Sequence, residues 1–365
     1  MVVEGLARLG DVDLCVVTRT RPPELLRPAP EAIARTCWIR VAEAPLWRWR
    51  VLWSRVTPER LDRVAPVDPA DLDVLHAPHD LVWCVEPRGY EPVRRLVRRP
   101  VVLDLQNLHD ASARHRRNSP GEPILRRAIY LPRMQSRWGA WQRAAAEAVD
   151  VVAVCSELDA ARLGTANAVV VPNAYPDVAY RPREHPSGAP LTVAIVGTMQ
   201  YDPNRLGARF FARDVLPRVR ERVGDARFEV IGSYEHLVDE LRALPGVVVR
   251  GYVDDLDSVL DAVDVVVAPV FFGGGTRLKI IEGFARGIPV VSTTMGAEGL
   301  HAQDGEHLLV ADTPEAFADA VLRVHDSPTL RRSLTDNARR LYHERYRWAV
   351  GVDAVEALAR RTARP

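Results

Sequence analysis

The sequence predicts an α/β protein with parallel strands, arranged as two lobes. Three observations carry that prediction. The chain has 365 residues, 47% of them apolar and 27% charged, which is enough for two ordinary globular domains. Residues 264–292 read as strand, glycine turn, helix and strand, the pattern of a βαβ unit. Residues 174–190 are proline-rich and show no apolar periodicity, which marks a linker. The expected boundaries are 1–173 for the first lobe, 174–190 for the linker and 191–342 for the second lobe. A terminal helix over 343–365 is expected to return to the first lobe.

Within the first lobe, residues 1–9 read as a helix and Val12 to Val17 as a strand. Residues 37–64 interleave Trp38, Trp47, Trp49 and Trp53 with Arg40, Arg48, Arg50 and Arg55. Such a patch suits either an anionic membrane surface or a helix that buries its tryptophans and solvates its arginines, and the second reading is preferred. Asp71 to His76 is expected as a short strand ending at His76 and His79. Val101 to Leu105 is a second strand, followed by Gln106, Asn107, Leu108, His109 and Asp110. Ligands in open parallel sheets lie at the carboxyl ends of strands, so Gln106, Asp110 and His76 become acceptor-side candidates. From Arg88 to Glu147 there are thirteen arginines against five acids. That excess either steers an anionic acceptor or is the solvated face of a long helix over about 122–147. Val149 to Cys155 reads as a buried strand, with Ser156 capping a helix over 157–163. Val169 to Val171 then leads to Pro172-Asn173.

The second lobe opens with Leu191 to Val196 and Gly197-Thr198, ahead of a helix begun by Pro203. A strand ending in glycine before a helix N-terminus suits a phosphate. Phe228 to Ile231 and Val247 to Val249 are further strands, the latter ending in Gly251-Tyr252-Val253, with a short helix over Asp254 to Ala262. Val265 to Ala268 is buried on both faces, and Pro269 ends it for want of an N–H. Gly273, Gly274 and Gly275 let the backbone turn sharply and approach a ligand. A helix is expected from Thr276 to Arg286, ended by Gly287 and Pro289, and Ile288 to Ser292 is the next strand. Thr293 to Gly299 is expected as a loop, His307 to Ala311 as a strand, and 314–325 and 328–343 as helices.

The helix after the glycines carries Arg277, Lys279 and Glu282, with the last two on one face. Lys279 is the one lysine among 49 Lys plus Arg. A compact ammonium stands there in a chain that otherwise uses the planar guanidinium. A diphosphate on the amides of residues 275–277 would meet both cations, and Glu282 would accept the hydroxyls of a ribose. That describes a nucleoside diphosphate. The competing reading is an exposed Arg/Lys/Glu helix face.

Gly273-Gly-Gly-Thr-Arg-Leu-Lys-Ile-Ile-Glu282, continued through Ala285, Gly287 and Pro289-Val-Val, resembles the donor-binding motif of retaining family 4 glycosyltransferases, the glycosyl transferases group 1. It is most similar to their bacterial G-G-G-T-R-x-K branch. The resemblance implies the GT-B fold: two Rossmann-like, doubly wound domains with a cleft between them. It implies transfer of a sugar from a nucleoside-diphosphate sugar to a saccharide, lipid-linked or small-molecule acceptor, with retention and without a metal. Lys279 and Arg277 would be catalytic, and so would His109, which stands three residues after Gln106, the position where relatives often carry the histidine that touches the donor sugar. Gly274, Gly275, Thr276, Glu282, Gly197, Thr198, Gly251, Tyr252 and Val253 would bind the donor, with the base at the Gly251 turn. Many relatives have a glutamate eight positions before Glu282, where this chain has Gly274. Relatives also open the first lobe with a strand and a glycine-rich loop, which this sequence lacks. Either the start has been assigned too far downstream or the lobe has lost that strand. A nucleotide-sugar-binding partner subunit of little activity is therefore the alternative function, with a GT-B epimerase or pseudo-glycosyltransferase as a third.

Other chemistries fit less well. The pairs Asp11/Asp13, Asp71/Asp73 and Asp255/Asp257 precede or begin strands or cap a helix, so no metal or other cofactor is expected. There is no G-x-S-x-G, Walker lysine, H-E-x-x-H, C-x-x-C pair or dinucleotide G-x-G-x-x-G. A net charge of +1 argues against nucleic acid as partner. Four scattered cysteines suit reduced thiols. With no signal peptide and no apolar run of membrane length, a cytoplasmic protein is expected, with peripheral contact at the inner membrane face through the basic, Trp-rich region.

Overall fold

The computed structural model describes residues 1–18, 33–40, 69–98, 100–119, 122–180 and 190–363. Of the Trp/Arg patch over 37–64, residues 41–64 lie outside them, as do linker residues 181–189, while residues 37–40 are strand rather than helix. The chain forms two compact units, one of Met1–Pro172 with Ala349–Pro365 and one of Asn173–Trp348.

In the first unit, β3 (Val82–Val85), β4 (Val101–Leu105), β5 (Val151–Val154) and β6 (Ala168–Val170) form a parallel four-stranded sheet in that order. Strand period sends alternate residues to opposite faces. Leu103 and Leu105 join one core with Val152 and Val154, whereas Val102 and Ala153 face a second core with Val355 and Leu358. That second core is covered by helix Val2–Ala7 and the terminal helix Trp348–Thr362. These helices meet so closely that a Cβ on Gly5 would lie 2.7 Å from Val355 Cγ1. β1 (Val12–Thr18) and β2 (Ile33–Arg40) pair separately, in parallel. Helix Leu131–Ala148 follows a single π turn at Arg126–Tyr130, and Arg133, Arg137 and Arg143 lie on its exposed side.

The second unit is a six-stranded parallel sheet of β7 (Thr192–Val196), β8 (Arg227–Ile231), β9 (Val247–Gly251), β10 (Val265–Ala268), β11 (Val290–Ser292) and β12 (Leu309–Val310). Its order is β12-β11-β10-β7-β8-β9. Val193, Ile195, Val265 and Val267 enter one core, and Ala194, Val266 and Ala268 enter the other. Both faces are covered, which is why β7 and β10 read as unbroken apolar runs.

Three sequence expectations are corrected. Residues Asp71 to His76 are not a strand but part of helix Pro69–His76. Pro69 sets the first helical turn, and Leu72 and Leu75 are three apart as a helix requires. His76 therefore ends a helix and is exposed, and the edge strand is β3. Thr293 to Gly299 contains the helical turn Thr294–Ala297, capped by the Thr293 hydroxyl. The helix expected from Thr276 starts at Leu278. Among the described residues no helix is long and apolar enough to cross a membrane, and no group of three or more His, Cys, Asp or Glu is placed to hold a metal. Cys84 and Cys155 are buried, Cys15 is partly buried, and none of these three forms a disulfide.

Candidate functional site

The sheet of the second unit places its own site. From β7 the chain steps outward through β8 and β9, then crosses back to β10 and steps the other way. β7 and β10 are neighbours, paired at Val193↔Val265 and Ala194↔Val266. Their connections diverge to opposite sides, leaving a crevice at their carboxyl ends, where ligands of doubly wound sheets bind. Two glycine turns lie there: Gly197 after β7, at φ +139°, and Gly273 to Gly275 after β10, with φ +132° at Gly273 and +66° at Gly275.

Backbone hydrogen bonds fasten the rim of this crevice. Gly197 N donates to Ile231 O at 2.9 Å, Met199 N to Ser233 O at 2.9 Å and Gly232 N to Gly251 O at 2.8 Å. The approach is tight enough that a Cβ on Gly232 would sit 2.2 Å from Gly197 O.

Lys279 reaches into this crevice. Its Nζ donates to Asn204 Oδ1 at 2.6 Å and lies 3.5 Å from where a Cβ on Gly197 would stand. Asn204 is buried at the start of helix Asp202–Phe210, and its Nδ2 donates to Thr198 O at 3.0 Å. The lysine stem is partly exposed, but desolvation of the ammonium lowers its pKa to about 7; the Arg277 charge adds to that shift and Glu282 opposes it. An ammonium so placed is ready for an anion, because a bound phosphate would restore the charged form.

Arg277 stands on the glycine turn itself. Its guanidinium turns back and donates from Nη1 to the carbonyls of Gly274 and Gly275, bracing the glycine turn. Its own backbone is extended, at φ −91° and ψ 100°, and Thr276 Oγ1 accepts from Asn173 Nδ2 at 2.8 Å. These ties keep Thr276 and Arg277 out of the helix. The N–H groups that the first turn leaves open are those of Leu278 and Lys279, rather than those of residues 275–277.

Glu282 is buried, and three bonds converge on its Oε1: from Tyr175 Oη, and from Arg286 Nε at 3.4 Å and Nη2 at 3.3 Å. At the neighbouring strand ends Thr198 and Tyr252 are exposed and Val253 is partly buried. Gly251, at φ +76°, lies against Glu235, whose Oε1 would be 3.4 Å from a Cβ there. The structure thus gathers Gly197, Gly274, Gly275 and Lys279 at one crevice. The contacts of Arg277 and Thr276 also brace the turn.

The first unit gathers a second group at the carboxyl ends of β3 and β4. Glu86 follows β3 with φ +60°, a strained value for a residue with a Cβ. Its Oε2 is 3.5 Å from His109 Nε2, and the His109 ring packs on Trp138 with centroids 4.2 Å apart. Asp104 is buried beside them, accepts from Trp83 Nε1 at 3.2 Å, and is pushed up to about 6 by burial. Gln106 is exposed. Asp110 instead exchanges two bonds with Gln142, both 3.2 Å, at the start of helix His109–Asn118. His76 is no part of this group.

Sequence reasoning missed Asn204, Tyr175 and Glu86. Pro203-Asn204 reads as a helix opening, and only the fold shows the carboxamide against Lys279. Tyr175 lies in the proline-rich connection, where no pattern exposes a partner 107 residues away.

A profile of the glycosyl transferases group 1 matches residues 190–327. The matched span holds Gly197, Asn204, Arg277, Lys279 and Glu282, while Tyr175 and the first-unit group lie outside it. The chain is also similar to a phosphatidyl-myo-inositol mannosyltransferase of Mycobacterium leprae, 31% identical over 169 residues, 44% of this chain and 43% of that protein. The match thus spans under half the length of that relative. Among solved structures, sucrose-phosphate synthase of Thermosynechococcus elongatus superposes with a TM-score of 0.73 at 18% identity, covering 99% of this chain and 91% of that one. Anabaena HepE, in complex with UDP-glucose, gives 0.60 at 14% identity over 96% and 98%. The two units are the two parallel-sheet α/β domains of the GT-B fold.

Proposed function

We propose that this chain is a nucleotide-sugar-dependent glycosyltransferase that retains the anomeric configuration. The observation that carries the reading is the desolvated Lys279 ammonium beside Gly197, at the crevice between β7 and β10. A diphosphate there would take hydrogen bonds from the N–H groups of the lysine helix and charge from Lys279. Glu282 Oε2 would accept from a ribose, with Tyr175 and Arg286 holding the carboxylate in place.

The chemistry follows from where charge develops. The bond between the sugar's anomeric carbon and the diphosphate oxygen breaks, and its electron pair stays on the phosphate. The acceptor oxygen bonds that carbon on the same face, and its proton passes to the departing phosphate. Lys279 and the helix N-terminus stabilise the charge gathering on the leaving group. No metal enters this scheme. The acceptor is proposed to be a saccharide or a lipid-linked sugar acceptor, met by His109 and Gln106 of the first unit. The domain boundaries given above and a cytoplasmic, peripherally membrane-associated location complete the proposal.

A binding protein of little activity is favoured by one observation: Gly274 stands where many relatives carry a carboxylate, so this turn offers the sugar no acidic side chain. A melting screen against uridine, guanosine and thymidine diphosphate sugars, followed by an assay for donor hydrolysis, separates the two. Stabilisation by about 2.7 kcal/mol at a hundredfold excess is expected of either. Sugar release identifies the enzyme, and stabilisation without release identifies the binding protein.

A further inference from the structure

We propose that Asn204 is the positioning residue of Lys279: its carboxamide fixes where the ammonium stands over Gly197, and so where the diphosphate of a nucleotide-sugar is met. The proposal rests on the donor reading above for the identity of the ligand, but not for the pairing itself.

Asn204 is built for this task at both ends of its amide. Nδ2 is committed to Thr198 O at 3.0 Å, which leaves Oδ1 to face the lysine at 2.6 Å. The amide orientation is therefore set by the β7 turn, and the turn in turn depends on Asn204, whose Nδ2 would lie 2.5 Å from a Cβ on Gly197. Asn204 is buried, and its helix starts at Asp202 with Pro203 in the first turn, so its backbone has little freedom.

Charge explains why an amide stands there. The charged groups around the ammonium are Arg277 on the glycine turn, which lowers its pKa, and Glu282 one turn along its own helix, which raises it. From the facing helix, Asp202 and Arg205 pair with each other. An aspartate at 204 would hold the lysine charged and occupied. An apolar residue would leave the ammonium without its acceptor and drive it neutral. A carboxamide holds the ammonium in place and leaves its charge free for an anion.

Because Lys279 is the chain's single lysine, lysine labelled with carbon-13 at Cε gives one signal whose pH titration reports this ammonium alone. The experiment titrates wild type, Asn204→Ala and Asn204→Asp, then adds uridine and guanosine diphosphate to each. Circular dichroism confirms that each variant is folded, and the near-isosteric Asn204→Asp keeps the test open should the alanine variant unfold. The midpoint is expected to fall in Asn204→Ala and to rise by about one pH unit in Asn204→Asp. Diphosphate affinity in Asn204→Ala is expected to drop about tenfold at pH 8 and to come within about twofold of wild type near pH 6, where a midpoint lowered by about one unit still leaves half the ammonium charged. A merely structural role would weaken binding equally at both values. An unmoved midpoint in both variants overturns the proposal. A shifted midpoint with a signal blind to both nucleotides upholds the positioning and removes the donor reading instead.

Discussion

Lys279 and Asn204, 75 residues apart, meet at 2.6 Å across the carboxyl ends of β7 and β10. One sits on the helix after the glycine turn and the other on the helix after Gly197. Their contact joins the two connections that diverge from the centre of the sheet. The ammonium lies inside the crevice and not in bulk solvent.

Lys279→Met is expected to lower kcat/KM about a hundredfold or more, the loss typical of removing one prepared charge stabiliser. Its effect on stability has the opposite sign. The folded ammonium titrates at about 7 and the unfolded one near 10.5. The unfolded chain therefore binds more protons between those values, and wild-type stability rises with pH across that window. Melting scans should show the variant's advantage over wild type to be greatest below pH 7 and absent near pH 10.

Gly197→Ala should disrupt the pair directly. The residue stands at φ +139°, and its new Cβ would fall 2.5 Å from Asn204 Nδ2. A cost of about 1–3 kcal/mol is expected from the backbone alone. Nucleotide-induced stabilisation should vanish while far-ultraviolet circular dichroism stays near wild type.

Asp104→Asn should stabilise the protein at neutral pH. Burial raises the carboxyl from 3.8 to about 6, so the folded state holds more protons between those values and loses stability as pH rises through them. The amide keeps an acceptor for Trp83 Nε1 and removes the buried charge. Denaturant titration should show a gain of about 3 kcal/mol at pH 8 and none below pH 4.

Tyr175→Phe and Glu282→Ala separate the structural and ligand roles of the buried carboxylate. The first removes one bond to Oε1 and should cost about 1 kcal/mol with nucleotide affinity nearly kept. The second strips Arg286 of its buried partner and should cost about 3 kcal/mol, measured by denaturant titration, along with nucleotide binding.

Much of the second unit was legible, because β7 and β10 are buried on both faces and so leave unbroken apolar runs between glycine turns. The lone lysine after three glycines marked its place for the same local reason. What the sequence concealed was long-range. Asn204 to Lys279 and Tyr175 to Glu282 are contacts that only the strand order creates. The contacts of Arg277 with the two carbonyls of its own turn were likewise not readable from its spacing. In the first unit, Asp71 to His76 alternates like a strand yet begins at a proline set for helix, and period alone could not arbitrate six residues. Glu86 carries no motif at all, and its position shows only in a positive φ.

Calorimetric titration of uridine, guanosine and thymidine diphosphate into wild type and Lys279→Met, in two buffers of different ionisation enthalpy near pH 8, tests the central claim most directly. A diphosphate beside Lys279 raises its pKa back toward the ordinary range, so binding should take up a fraction of a proton approaching one. The account predicts that uptake in wild type, with its disappearance and about a hundredfold weaker binding in the variant. Equal affinity in both proteins with no proton uptake in either would contradict it.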